Sequence, residues 1–306
     1  MISLFVTLAT LLLSLRPSLP PQAPTPPPEL RPAPAPVAPP AAGMALSYSR
    51  PLGQIARYHM TVEARGEQIS LDEHIPVKWQ AEIELTEEVI ARGQDGSLWL
   101  RVKGGPIAVK DGNSVFASGM MNEWPQMDLH VSRLGEVLEA SPSGSAAEMG
   151  ESARAFVALA AQPPTIMLPD RNVQPGDEWQ WEREGARQVN RLVSVTGAGD
   201  TLVANLSSSG AAPLRLEESD PRLGIATRMT GNVTYDSKAG LLVAQGLVQR
   251  HKGEMRLRTK SETTLDTAEG RELFEMESDL TVAFEVRLVG ARDPGRPAGA
   301  ADRDYQ

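Results

Sequence analysis

The segment from Phe274 to Leu288 constrains the fold more than any other feature of this chain. Apolar residues recur there at every second position, with only Ser278 interrupting, and the positions between them are mostly charged or hydroxyl-bearing. A period of two gives a β-strand one apolar and one polar face. Such a strand is roughly 50 Å long, against about 5–6 residues for a usual strand, so it must twist and coil. The segment therefore predicts a strongly curved antiparallel sheet or half-barrel. The apolar residues are Phe274, Met276, Leu280, Val282, Phe284, Val286 and Leu288.

Earlier segments repeat the pattern and predict a mainly β (α+β) chain. Inward faces are expected from Tyr58, Met60, Val62 and Ala64, from Trp79, Ala81, Ile83 and Leu85, and from Leu98, Leu100 and Val102. The dipeptides Asp95-Gly96 and Asp111-Gly112 are typical of hairpin turns.

One mid-chain helix is predicted over residues 145–162, where alanines and larger apolar residues recur at helical spacing before Pro163-Pro164. It would join two similar halves of a β-rich body (44–290), at about 44–144 and 165–290. Each half opens with an aromatic strand and contains a strand–turn–strand unit, Leu129–Gly135 in one and Val233–Gly240 in the other. Hairpins are common enough to produce this pattern without duplication.

The N-terminal residues predict export. Residues 1–16 are apolar up to Arg16 and favour a signal or anchor segment, and 17–43 form a proline-rich tether expected to be extended and disordered. The run from Met1 covers about 22 Å as a helix, short of the roughly 30 Å hydrocarbon core, which favours a secretory segment over a conventional membrane helix. The expected location is periplasmic, envelope-associated or secreted, with membrane attachment only through this segment. Residues 291–306 are expected to be a disordered tail.

Charge and composition exclude several classes of function. The net charge of −9 disfavours nucleic acid as a partner. The absence of cysteine excludes disulfides, a thiolate nucleophile, zinc–thiolate sites and a lipid-anchored cysteine.

A mid-chain motif runs from Pro169 to Trp179, with the spacing P-x-x-x-V-x-x-G-D-x-W. It resembles a motif of uncharacterised exported bacterial β-rich proteins, whose fold is similar to that of the lipoprotein carriers, a curved half-barrel. The resemblance implies an envelope location and an apolar ligand, and it implies no catalytic residues. Taken by themselves, the residues predict a structural motif. Gly176 allows a tight turn, Asp177 caps it, and Trp179 fills the core at a strand start, with Pro169 and Val173 as the other motif positions.

A segment with adjacent methionines is the speculative ligand-binding site. Met120, Met121 and Trp124 could form a pliable lid over an apolar ligand. The alternative, an ordinary loop folded into the core, is favoured by the small number of aromatic residues elsewhere.

No catalytic residue, metal site or cofactor is predicted. His59 and His130 fall on polar strand faces, Asp72-Glu73-His74 is at most a partial metal site, and the nucleotide-binding and nucleophile-elbow motifs are absent. A basic strip over 249–260 is either a surface for anionic lipid or polymer, or a strand face paired with the acidic face at 275–285. The second interpretation is favoured.

Three functions remain open. The first is an exported, non-catalytic protein that binds a lipid or other apolar ligand. The second is a structural or protein-interaction module with an envelope partner. The third is a hydrolase with scattered site residues, which is disfavoured because no motif supports an enzyme.

Overall fold

The structure is a computed structural model that describes residues 43–70, 73–105, 108–112, 126–143, 166–220, 225–267, 270–294 and 303–304. In these ranges the chain forms thirteen β-strands and a short 3₁₀ segment, Gly199–Thr201. The strands are β1 (Ile55–Ser70), β2 (Glu73–Arg92), β3 (Leu98–Gly104), β4 (Ala108–Gly112), β5 (Met127–Val131), β6 (Val137–Pro142), β7 (Glu178–Arg183), β8 (Ala186–Thr196), β9 (Val203–Asp220), β10 (Ile225–Leu242), β11 (Leu247–Thr267), β12 (Gly270–Arg292) and β13 (Arg303–Asp304).

The strands form one antiparallel sheet in the order β6-β5-β3-β2-β1-β12-β11-β10-β9-β8-β7. Each half of the chain is a meander, and the meanders meet where the first long strand, β1, pairs with the last, β12. The short strands β4 and β13 pair with β2 and β12, off this path. The prediction of a mainly β, curved and open antiparallel sheet is confirmed.

The longest strand is β12, with 23 residues. Its apolar alternation buries Leu280 to Leu288 as predicted, but Phe274 is exposed. The prediction was wrong there because the β11–β12 hairpin continues past Ser70, where β1 ends, so both of its faces meet solvent.

The side chains of one parity form the buried face of the sheet, and those of the other parity form the polar face. The inward residues predicted on β1, β2 and β3 are buried, except that Leu85 is only partly so. These residues and others on β1, β2, β5, β9, β10, β11 and β12 make up a first apolar cluster.

A second apolar cluster lies at the other end of the sheet, on β8 to β11. The segments before β1 and before β7 pack on it through Met44, Leu46, Tyr48, Ile166, Leu168 and Val173. The Tyr48 hydroxyl donates to the carbonyl of Ile166 at 2.9 Å and accepts from its N–H at 3.0 Å, which ties the two segments together.

Two predicted turns are wrong and two are confirmed. Asp111-Gly112 lies inside β4, paired with Gln80 and Trp79. Residues 233–240 run straight through β10, because they pair with β9 on one side and β11 on the other, and the chain turns only at 243–246. The turns at Asp95-Gly96 and before Gly135 are present, and both glycines have positive φ.

The basic strip on β11 pairs with the acidic face of β12, which confirms the favoured interpretation. Arg256 contacts Asp279 at 2.7 Å, and Arg250 contacts Glu285 at 2.7 Å. These cross-strand ion pairs neutralise cations that a surface for anionic lipid or polymer would need.

Several predictions lie outside the described residues. They are the helix over 145–162, the segments over 1–16 and 17–42, and most of the tail over 291–306. Within the described part of the chain, no helix has the length and apolar character to cross a membrane.

Candidate functional site

The predicted ligand-binding residues Met120, Met121 and Trp124 lie outside the described residues. The lid therefore stays a prediction.

The motif from Pro169 to Trp179 joins the segment before β1 to the edge of the sheet. Val173 is buried and exchanges two backbone hydrogen bonds of 2.9 Å with Met44. Gly176 has a φ of 100°, which L-residues rarely adopt, and its N–H donates to the carbonyl of Leu192 on β8 at 2.7 Å. Pro169 is also buried.

Asp177 and Trp179 hold this turn to its surroundings. The Asp177 carboxylate accepts from the Gln174 N–H at 2.9 Å, and this hydrogen bond, together with Arg171, lowers the pKa of the carboxyl below its usual value. The Trp179 indole donates to the carbonyl of Met167 at 2.7 Å while its ring packs on the second cluster. These contacts of the motif stabilise the turn and the packing of the segments around it.

A group of polar side chains interrupts the buried face on β8 to β11, between the two apolar clusters. This polar patch occupies three neighbouring cross-strand rows. Asn190, Ser208 and Ser237 form the middle row, Gln188 and Tyr235 lie in the row on one side, and His251 lies in the row on the other side. All of its members are buried. The patch comprises Gln188, Asn190, Ser208, Tyr235, Ser237 and His251.

Half of the patch is satisfied internally. Gln188 Nε2 donates to Ser208 Oγ at 2.8 Å, and both residues form side-chain hydrogen bonds with Tyr235. Burial raises the pKa of the Tyr235 phenol to about 12, so the phenol keeps its proton.

The side chains of the other half have no hydrogen-bond partner. Both side-chain amide atoms of Asn190, the hydroxyl of Ser237 and both ring nitrogens of His251 are buried without a hydrogen bond. The His251 ring meets Phe284 edge-on at a centroid distance of 5.1 Å. Burial lowers the pKa of its imidazole to about 3, so the ring is neutral at ordinary pH.

The remaining histidines lie on the polar face or in the hairpin between β1 and β2. His59 Nε2 is 3.7 Å from Glu82, and His74 Nδ1 is 3.1 Å from Glu67. His130 is half-buried, not free in solvent, because its ring stacks on Trp99 at 4.5 Å. In the part of the chain that the structure describes, no group of three His, Asp or Glu side chains could hold a metal ion.

A depression of about 680 Å³ lies on the opposite, polar face. Its lining residues come from two cross-strand rows of the polar face and from the single row of the buried face that lies between them. The adjacent rows of the buried face contribute no lining residue. It therefore opens on the polar side. Its charged lining residues are Glu63, Glu178, Arg191, Asp236, Lys238, Lys252 and Glu285.

Sequence reasoning missed the polar patch, although a signal for His251 was present. His251 has the same parity as Met255 and Leu257, which the alternation places on the inward face. No local pattern could have shown that Ser237 lies beside it and Asn190 farther along the same face, because strand pairing alone sets these positions.

Comparisons with known proteins identify no family. No family model and no curated protein matches the chain. A structure of lipovitellin, described for its lipid–protein interactions, matches with a TM-score of 0.43 and 10% identity, over 83% of this chain and 27% of the lipovitellin chain. An outer membrane channel from Pseudomonas putida F1 matches with a TM-score of 0.21 and 10% identity, over 82% of this chain and 99% of the channel. The chain thus spans about a quarter of the lipovitellin chain, and at these low scores the function has to be inferred from the residues of the sheet.

Proposed function

We propose that this protein binds a lipid or other apolar ligand, without catalysis, on the buried face of its curved sheet. The observation that carries the proposal is the continuity of that face. Apolar side chains of one parity extend from β5 to β8 across the sheet and along its longest strands. A sheet with one apolar face has to bury that face against something. Among the described residues, the segments before β1 and before β7 pack on this apolar face, and they do so at the second cluster.

Native mass spectrometry of the purified full chain tests the proposal. We expect an added mass that organic extraction removes, and binding of the neutral fluorescent probe N-phenyl-1-naphthylamine by the extracted protein. A measured mass equal to that of the polypeptide alone, together with no binding of the probe, would contradict the proposal.

A matched pair of variants assigns the binding to the face. Ala81 is fully buried on the apolar face, whereas Ala283 lies on the polar face. Ala81→Leu adds volume on the apolar face and should weaken probe binding, while Ala283→Leu should leave it unchanged. Circular dichroism checks that both variants fold.

The site of action proposed for this activity is outside the cytoplasm. It is supported by the N-terminal apolar run and the proline-rich residues after it. Cell fractionation of a C-terminally tagged chain should recover the protein in an envelope or secreted fraction. Recovery in the cytoplasm would contradict this part of the proposal.

The depression on the polar face favours a second candidate function, that of a protein-interaction module. Side chains of both charges line it, which suits a polar partner. A photo-crosslinker at Ser209, inside the depression, should capture a partner that one at Glu139, on the edge strand β6, does not. Equal crosslinking from both positions would count against this function.

A further inference from the structure

The unpartnered half of the polar patch is costly as it stands. A buried donor or acceptor without a hydrogen bond destabilises a protein, and native structures contain few such groups. Asn190, Ser237 and His251 carry five of these atoms on one face of the sheet, at the junction of the two apolar clusters, and Ser237 and His251 are diagonal neighbours on the paired strands β10 and β11. A set of unsatisfied groups this concentrated points to a missing hydrogen-bonding partner.

We propose that the ligand of the buried face is an uncharged amphiphile, whose hydroxyl, ester or amide group hydrogen-bonds to Ser237 and His251 on the neighbouring strands β10 and β11 while its alkyl chain lies along the neighbouring apolar rows. The inference rests on the proposed apolar-ligand function and names the chemical class of the ligand.

The hydrogen-bonding capacity of Ser237 and His251 matches such a group. A hydroxyl offers a donor and an acceptor, and a neutral imidazole has one donor and one acceptor nitrogen. A hydroxyl or amide of the ligand would satisfy donors and acceptors of this kind together, and an ester, which only accepts, would satisfy the donors. A hydrocarbon would leave the Ser237 hydroxyl and both ring nitrogens of His251 unpaired.

Charge disfavours an anionic head group. Within the described chain, the buried ionic side chains other than His251 are Arg50 and Glu87, which contact each other at 2.6 Å. Neither belongs to the polar patch. A carboxylate or phosphate placed there would be desolvated without a counter-charge, because burial keeps the His251 imidazole neutral.

The apolar rows beside the patch provide a path for the alkyl chain. His251 pairs with Val286 on β12, Val286 pairs with Met60 on β1, and Met60 pairs with Ile83 on β2. Val286, Met60 and Ile83 are buried. The three steps from β11 to β2 cover about 14 Å at the usual strand spacing.

Displacement of N-phenyl-1-naphthylamine from the full chain by four compounds that share a twelve-carbon chain tests the inference. The compounds are dodecane, 1-dodecanol, methyl dodecanoate and dodecanoate at neutral pH. We expect 1-dodecanol and methyl dodecanoate to bind about tenfold more tightly than dodecane, and 1-dodecanol to bind more tightly than dodecanoate.

Variants of the patch assign this preference to its residues. Ser237→Ala and His251→Phe should each reduce the preference for 1-dodecanol over dodecane by several-fold. Ser278→Ala is the matched control, because Ser278 is a buried serine of the same face about 20 Å along β12 from the row of Ser237. It should leave the preference unchanged. Should His251→Phe fail to fold, Ser237→Ala alone decides, since it only removes a hydroxyl.

The outcomes separate this inference from the proposed function. Equal binding of all four compounds, tightest binding of dodecanoate, or patch variants that behave like Ser278→Ala would overturn the uncharged amphiphile and leave apolar binding standing. No displacement of a bound probe by any of the four would also overturn it. No probe binding by the extracted protein would overturn the proposed function itself.

Discussion

His251 is a residue whose burial should be visible in the pH dependence of stability. The unfolded chain binds a proton at this imidazole below about pH 6.5, whereas burial lowers its pKa in the folded chain to about 3. Its cross-strand neighbours on the buried face are Ala239 and Val286, and its ring contacts Phe284, none of which is titratable. Stability is therefore fully retained above pH 6.5 and falls as the pH drops toward 3, by at most about 1.4 kcal/mol per pH unit from this group.

His251→Phe should remove this component. In urea titrations between pH 7 and pH 4.5, the free energy of unfolding of the variant should fall less steeply than that of the parent. Met255→Leu is the control, because Met255 is a buried residue on the same face of β11 and carries no titratable group. Parallel curves for His251→Phe and the parent would contradict the prediction.

The buried ion pair between Arg50 and Glu87 is a second test at the scale of single residues. The two groups are 2.6 Å apart, and Arg50 also donates to Gln54 at 2.9 Å. Glu87→Ala leaves the guanidinium buried without its counter-charge and should lower the free energy of unfolding by about 3–5 kcal/mol. Chemical denaturation measures the loss. The double variant Arg50→Met/Glu87→Leu should recover most of it, and Glu87→Ala at parental stability would show that the pair is dispensable.

Strand β11 depends on a glycine for its close contact with both neighbours. A Cβ at Gly253 would stand 2.6 Å from Ser237 Cβ and 2.9 Å from Phe284 Cζ, distances that require the strands or the ring to move. Gly253→Ala should therefore cost about 1–3 kcal/mol in thermal or chemical unfolding. Gly105→Ala is the matched control, because its Cβ would meet its nearest neighbour, the Glu84 carbonyl, at an ordinary 3.7 Å. Equal stabilities of the two variants would contradict the close packing.

The whole molecule depends on β12, which pairs with β1 on one side and β11 on the other and so joins the two meanders. A chain that ends at Leu265 lacks β12 and exposes the paired edges and apolar faces of β1 and β11. We expect it to be unfolded or aggregated by circular dichroism and size-exclusion chromatography. A chain that ends at Pro294 keeps β12 and should fold. A folded, monomeric shorter chain would show that the meanders are independent.

Much of the fold could be predicted from the sequence because alternation is a local signal. The alternation of apolar and polar residues around Tyr58, Trp79 and Leu100 predicts a strand and shows which side chains face inward. Strand ends were less predictable, since β10 continues through residues 233–240 where turn-forming residues suggested a hairpin. Backbone pairing with β9 and β11 on both sides outweighs that local preference.

The sequence by itself determined a β-rich chain and the faces of its strands, and it favoured the pairing of the basic strip with acidic side chains. Only the tertiary structure decided that β1 meets β12, and that Asn190, Ser237 and His251 lie on one face of the sheet among apolar residues. The physical reason is that side-chain periodicity is set within a strand, whereas register and strand order are set by contacts between residues far apart in the chain. The candidate site belongs to this second kind of information.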